Sequence, residues 1–240
     1  MKPQAKTDMD VDILGLELSP GDEHYRSYVG PPGDYDLVSA MAFGLLTACG
    51  LRQHHRLLDV GCGSLRLGRL LIPYLNPGNY YGLEPNKWLV DEGRRYEVGD
   101  SLLEVRQPTF IYDTGLDDST YRSTFDYAIA QSIWSHTGPD LLGRWIVETA
   151  RSLSDSGVML ATFIEGNEDH EGSGWVYPEC VEFRRETIAE LAEKHGLAFT
   201  MLDWFHPRQS WCALYKPGFD DKLLNGGSPG WNHFCQYTHS

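Results

Sequence analysis

Three residues in a row, Gly61-Cys62-Gly63, follow an apolar run that ends at Val60, and a carboxylate, Glu84, stands about 20 residues beyond Gly63. Glycine lets a backbone approach a ligand closely, and a carboxylate at that spacing can accept hydrogen bonds from two ribose hydroxyls. The dinucleotide fingerprint GxGxxG would require a third glycine where Arg66 stands, and the P-loop pattern GxxxxGKS/T is absent. The pattern therefore points to a ribose-bearing cofactor without a pyrophosphate. A second set of residues, His136, Glu165, His170 and His206, has the side chains of general bases.

Positioning these groups requires strands that end beside them. "RLLDV" reads as a first strand, "NYYGLE" as a second, "TFIYD" as a third, "FDYAIA" as a fourth and "GVMLATFIE" as a fifth, with helices after the first, second and fourth. Leu67, Leu70, Leu71 and Leu75 recur at helical spacing behind the glycine loop. Asp34 or Asp36 is expected to cap a helix that runs to about Ala48. "AFTMLDWF" and "SWCALYK" are separated only by "HPRQ", which suits an antiparallel hairpin. The expected fold is α/β and Rossmann-like: a mostly parallel sheet with helices on both faces and a C-terminal antiparallel hairpin. Residues 1–33 form an N-terminal extension, 34–216 the body and 217–240 a Gly-rich, polar tail.

Composition narrows the chemistry. The chain has 240 residues, 41% of them hydrophobic, enough for one large domain. With 20 basic against 34 acidic residues its formal charge is −14, which disfavours a nucleic-acid partner or an anionic membrane. The start lacks an apolar stretch of signal-peptide length and no later run is long enough for a span, so a cytoplasmic protein is expected. Five cysteines, Cys49, Cys62, Cys180, Cys212 and Cys235, form no CxxC pair and are expected to be reduced, mostly buried thiols.

With these elements in place, "LLDVGCGS" and "YYGLEPN" resemble the first two motifs of class I S-adenosylmethionine-dependent methyltransferases. The resemblance covers roughly residues 34–216 and implies a seven-stranded sheet. It also implies S-adenosyl-L-methionine as cofactor and S-adenosyl-L-homocysteine as product; some members that methylate catechols use magnesium, but no metal is expected here. It assigns Asp59, Gly61, Cys62 and Gly63 to the aminocarboxypropyl end of the cofactor and Glu84, with Pro85 and Asn86 beside it, to the ribose. Asp113, or alternatively Asp117, is assigned to the adenine, and Gln131 to the methionine moiety. Where that family often carries a third glycine, this chain has Leu65.

Methyl transfer asks the protein to position an acceptor, exclude water and, where needed, remove a proton. His136 is the first candidate base, His206 the second and Glu165 the next, all near strand carboxyl ends. The stretch 166–182 is too long for an ordinary connection and reads as a substrate-covering insertion. Trp134, His170, Trp175 and Tyr177, with Tyr25 and Tyr28 from the N-terminal extension, are expected to line the acceptor site, and Trp204 and Trp211 to add apolar wall. The acidic run around His170 reads as a solvated face rather than an ion site. The function expected is methylation of an oxygen or nitrogen of a small-molecule acceptor, a homodimer being an open option. The alternatives are a protein or peptide methyltransferase and a non-catalytic cofactor-binding module.

Overall fold

A strand buried at every position needs cover on both faces, and Leu57–Val60 (β1) has it at the centre of a parallel sheet. The computed structural model describes residues 12–116 and 125–225. Asp117, Cys235 and most of the C-terminal tail lie outside these. On one side β1 pairs with Tyr80–Leu83 (β2), which pairs in turn with Thr109–Ile111 (β3). On the other it pairs with Phe125–Ala130 (β4), and β4 pairs with Leu153–Glu165 (β5), every pairing parallel. Glu182–Phe183 (β6) adds a short parallel pair at the end of β5. Direction then reverses, because Ser210–Tyr215 (β8) runs antiparallel to both β5 and Ala198–Leu202 (β7). The order β3-β2-β1-β4-β5-β8-β7 places the topological switch between β1 and β4, and ligands bind outside the strand ends at such a point.

Alternate residues of the strands feed two cores. Leu58, Val60, Ala128 and Met159 face Pro139–Ser152 (α5) and Arg185–Lys194 (α6), which contribute Leu142, Ile146 and Ile188. Leu57, Ile129, Leu160 and Trp211 face Tyr35–Ala48 (α1) and Gly68–Tyr74 (α2), which contribute Leu45, Leu46 and Leu71. The connection from β2 to β3 is more broken than expected: Lys87–Gly93 (α3), a π-helical turn at Arg94–Val98 and Asp100–Arg106 (α4) share it. The last element among the described residues is the short Lys222–Asn225 (α7).

Three sequence expectations are corrected. The hairpin connection spans 203–209 rather than four residues, since Trp204 leaves the strand to donate its Nε1–H to the Met41 carbonyl of α1 at 2.9 Å. The third strand ends at Ile111, and Asp113 folds into a turn by accepting from the Thr114 N–H at 2.6 Å. Asp34 occupies the N-cap of α1, but its carboxylate makes no cap bond and pairs with Arg208 instead. No helix among the described residues is long and apolar enough to cross a membrane.

Candidate functional site

The glycine loop leaves β1 with two backbone donors already fixed. Gly61 N and Cys62 N both donate to the Leu83 carbonyl, at 2.8 and 3.1 Å, so the loop is hung from the end of β2. Gly61 (φ 69°) and Gly63 (φ 52°) occupy the left-handed region. A Cβ on Gly61 would lie 2.1 Å from Ile133 Cδ1, and one on Gly63 would lie 2.8 Å from Val29 Cγ1. Leu65, at the position of the missing third glycine, keeps the left-handed backbone (φ 59°) although it has a side chain, and that side chain is fully buried. Its burial offsets a conformation that costs a non-glycine residue about 1–2 kcal/mol.

Glu84 ties the second half of the cradle to the first. Its Oε2 accepts from Gly63 N at 3.1 Å, and its Oε1 accepts from Asn86 N at 2.9 Å and Asn86 Nδ2 at 3.0 Å. Burial pushes its carboxyl above the ordinary range, opposed by the Asn86 and Gly63 donors. At the end of β4, Gln131 is buried and its Nε2 has no hydrogen-bond partner, a costly condition for an amide donor. The next residue, Ser132, is also at positive φ (59°), held by donation of its N–H to Thr162 Oγ1 at 2.7 Å. This strand end thus combines strained backbone with an unpartnered buried donor.

Two other residues assigned to the cofactor turn away from the cradle. Asp59 is buried within β1 and accepts from the Tyr80 hydroxyl at 2.8 Å; burial pushes its carboxyl up to about 7. The Cys62 side chain packs into the core against Gly82 and Phe110, leaving only its backbone in the loop. Asp113 is exposed, and Pro85 precedes the Asn86 that caps Glu84.

Two long segments close over this end of the sheet. Residues 25–34 form a strap: Val29 lies against Gly63 and Arg66 Nη1 donates to the Val29 carbonyl at 3.0 Å, while Tyr35, the first residue of α1 after it, donates its hydroxyl to the Ser64 carbonyl at 3.2 Å. Tyr25 is not an acceptor-site residue but an anchor of that strap, stacked on Tyr96 and hydrogen-bonded to Glu97 and Arg26. The insertion 166–182 docks on the turn after β4, with Gly138 N donating to the Gly174 carbonyl, Val176 N to the His136 carbonyl and Val181 N to the Ser135 carbonyl. The Tyr177 hydroxyl joins insertion to strap by donating to the Tyr28 carbonyl at 2.5 Å. His170, Trp175, Tyr177 and Cys180 line a cleft of about 780 Å³ along the insertion.

His136 stands where the insertion meets the sheet. Its ring packs against Tyr177 (centroids 4.8 Å apart) and Trp175 (5.8 Å). Nδ1 lies 2.7 Å from the Glu179 carbonyl, which can only accept, so Nδ1 carries the proton and Nε2 keeps its lone pair. Burial lowers its pKa, partly opposed by that bond, so the neutral ring persists across neutral pH. His206 has the reverse tautomer. Its Nδ1 accepts from Arg208 N at 3.2 Å and Gln209 N at 3.0 Å, which puts the proton on a buried, unpartnered Nε2. Burial, with Arg66 and Arg208 nearby, holds its pKa down at about 3. A ring so arranged donates a hydrogen bond and is unsuited to remove a proton near neutral pH. Glu165 is exposed and engaged in an ion pair with Arg185. Asp169 is taken up by Arg184 and Thr187.

Trp134 and Trp211 are fully buried core residues and not walls of an acceptor site. Among the described cysteines, Cys49, Cys62 and Cys212 are buried and Cys180 is exposed. Sequence reasoning missed Val29 and Ile133, which press on the two glycines, and Trp88, whose ring meets Tyr28 edge-on at 5.1 Å. Only the positions of these residues after Tyr28, Ser132 and Glu84 could have signalled them. Arg66 entered the sequence reading solely as a missing glycine.

No family model matches the sequence. Solved structures do match in fold. Magnesium protoporphyrin IX methyltransferase (ChlM) from Synechocystis PCC 6803, with bound SAM, superposes with a TM-score of 0.55 at 16% identity, covering 87% of this chain and 92% of that one. The PH0226 protein from Pyrococcus horikoshii OT3 superposes with a TM-score of 0.59 at 15% identity, covering 84% and 97%. The 4+2 cyclase SpnF superposes with a TM-score of 0.57 at 17% identity, covering 75% and 81%. These likenesses establish the Rossmann-like methyltransferase fold, and the cyclase among them shows that the reaction must be argued from the site.

Proposed function

We propose that this chain is an S-adenosyl-L-methionine-dependent methyltransferase acting on an oxygen or nitrogen of a small-molecule acceptor, with S-adenosyl-L-homocysteine as product. The observation that carries this reading is the bond from Gly63 N to Glu84 Oε2 at 3.1 Å, which unites the glycine loop and the strand-end carboxylate in one cradle at the switch point. Gly61 and Gly63 would take the aminocarboxypropyl end, Glu84 and Asn86 the ribose, and Asp113 the adenine. The unpartnered amide of Gln131 would meet the methionine moiety. The bound cofactor supplies a methyl group activated on a sulfonium.

The chain's own part is to orient the acceptor and manage its proton. His136 Nε2 has the lone pair to take a proton from a hydroxyl or ammonium, while Nδ1–H, fixed on Glu179 O, holds the ring in place. Tyr28, His170, Trp175 and Tyr177 would bound the acceptor and keep water out, with the insertion 166–182 and the strap as covers. The net charge of −14 supports a small acceptor over a nucleic acid.

Calorimetric titration of S-adenosyl-L-homocysteine into the full chain tests the cofactor assignment; measurable saturable binding is expected, and none in the folded protein would overturn it. Incubation with labelled cofactor and extract then separates acceptor classes. Label on small molecules supports the reading, whereas label on polypeptides favours a protein methyltransferase and binding without turnover favours a non-catalytic module.

A further inference from the structure

Arg66 is not used by the cofactor cradle, yet it is held beside it. Among the described residues the one hydrogen bond of its guanidinium runs from Nη1 to the Val29 carbonyl at 3.0 Å, and no carboxylate pairs with it. Asp59, the carboxylate that acts on it, is committed to the Tyr80 hydroxyl, and the strap that holds Arg66 at Val29 holds Arg208 at Asp34. A guanidinium has five N–H donors, so most of those on the half-buried Arg66 are left without a protein acceptor among the described residues. From the far side, the β7–β8 connection brings His206, whose Nδ1 is saturated by two backbone N–H groups and whose buried Nε2–H has no acceptor. Arg66 and Arg208 both lie close enough for their charges to act on this ring. Gln209, from the same connection, is tied by its Nε2 to Ser135 Oγ at 3.1 Å, and its Oε1 is also unpartnered. In a chain of formal charge −14, the charges of Arg66 and Arg208 and the unmet N–H of His206 are brought together from separate elements, with Gln209 Oε1 as an unmet acceptor on the same connection.

We propose that Arg66 and the Nε2–H of His206 form an oxyanion subsite, and that the methyl acceptor carries a carboxylate or phosphate group seated there. The word acceptor rests on the methyltransferase reading; the subsite does not. The sheet order favours the acceptor over the cofactor's own carboxylate. Glu84 and Asp113 follow β2 and β3 on one side of β1, whereas His206 enters from β7 and β8 beyond β5 on the other. Arg66 stands between these two sides, bonded to the strap at Val29 next to Tyr28, whose carbonyl takes the Tyr177 hydroxyl of the insertion. A planar guanidinium with a second donor suits two oxygens of one oxyanion, and such charge-assisted bonds are the stronger kind.

The test measures binding of benzoate, phenyl phosphate and neutral benzamide to the full chain, with and without S-adenosyl-L-homocysteine. At least one oxyanion should bind about tenfold or more tighter than benzamide. Arg66→Gln should erase that preference, Arg66→Lys should keep part of it, and His206→Leu should reduce it without touching the Val29 contact. Equal affinity for all three probes, or a preference that survives Arg66→Gln, would overturn the subsite. If Arg66→Gln weakens S-adenosyl-L-homocysteine about tenfold, spares methylthioadenosine, which lacks the carboxylate, and leaves the oxyanion preference intact, Arg66 serves the cofactor and the proposal falls. Absence of cofactor binding would sink the methyltransferase reading alone, because the oxyanion measurement on the chain by itself still decides the subsite.

Discussion

The two sides of the site are held by different means. At the β1–β2 edge, the loop and Glu84 are hung on strand ends: Gly61 N and Cys62 N on Leu83 O, and Glu84 N on Ile111 O at 2.9 Å. At the opposite side, side chains from distant parts of the sequence position one another. His136 rests on Glu179, Tyr177 on Tyr28, Gln209 on Ser135 and Arg208 on Asp34. The first side is fixed by sheet register and the second by tertiary closure. Ordering of a ligand should therefore change the second side far more than the first.

The largest expected effect separates the two sides by chemistry. His136→Gln should slow methyl transfer by about 10²–10⁴-fold, the usual worth of a positioned general base, while leaving S-adenosyl-L-homocysteine affinity within a few-fold. Burial lowers the ring's pKa from 6.5, so the neutral, proton-accepting form persists as pH falls below 6.5. The acid limb of kcat should thus lie beneath that value in the wild type and vanish in the variant. His206→Gln should leave the limb in place, since a ring with a pKa of about 3 does not titrate there. An unchanged rate and profile in folded His136→Gln would mean that positioning alone suffices.

Next in size is a steric probe of the register-held side. Gly61→Ala places a methyl 2.1 Å from Ile133 Cδ1 and forces alanine to φ 69°, which together should cost about 2–4 kcal/mol of stability. Gly61→Ala with Ile133→Ala should recover the steric part but not the backbone part. Urea denaturation of the four proteins of that cycle reads the coupling, and strict additivity would show that loop and β4 turn do not touch in solution.

Glu84→Ala should weaken S-adenosyl-L-homocysteine by about 1–3 kcal/mol, because ribose hydroxyls and the Gly63 and Asn86 N–H groups lose an acceptor. Glu84→Gln retains one carbonyl oxygen and should lose less. Equal affinity of wild type and Glu84→Ala would remove the ribose assignment while leaving the fold untouched.

This contrast also explains what the sequence disclosed. Gly61, Gly63 and Glu84 were legible because glycine and strand-end acidity express local backbone needs, and the strand periodicity gave the sheet that carries them. FDYAIA matches β4 residue for residue, since a strand buried at every position but Asp126 leaves a nearly continuous apolar signature. His206 looked like a base by residue type, but its tautomer depends on two N–H groups of its own turn, and its low pKa on burial and then on Arg66, far away in sequence. Trp134 looked like a pocket wall because an aromatic near a strand end has the same spelling whether it faces a ligand or the core. Tyr25 was assigned to the mouth for the same reason, while Glu97, from the turn before α4, decides its place.

The smallest expected effect tests the register-held side at its one irregular residue. Leu65 holds φ 59° in a loop where glycine would be unstrained, and its side chain is fully buried beside Leu67 and Leu71. Leu65→Ala and Leu65→Gly both lose that burial, roughly 2–5 kcal/mol, so their difference isolates the backbone. At an ordinary helical position alanine is the more stable of the two by about 1 kcal/mol, and Leu71 in α2 supplies that control. At positive φ the order should invert, with Leu65→Gly more stable than Leu65→Ala by about 1 kcal/mol, or about 2–4 °C in Tm for a chain of this size. The paired melts of the Leu65 and Leu71 variants measure this directly. If alanine is the better residue at both sites, the loop does not hold the left-handed turn in solution, and Leu65 packs as an ordinary core residue on a relaxed backbone.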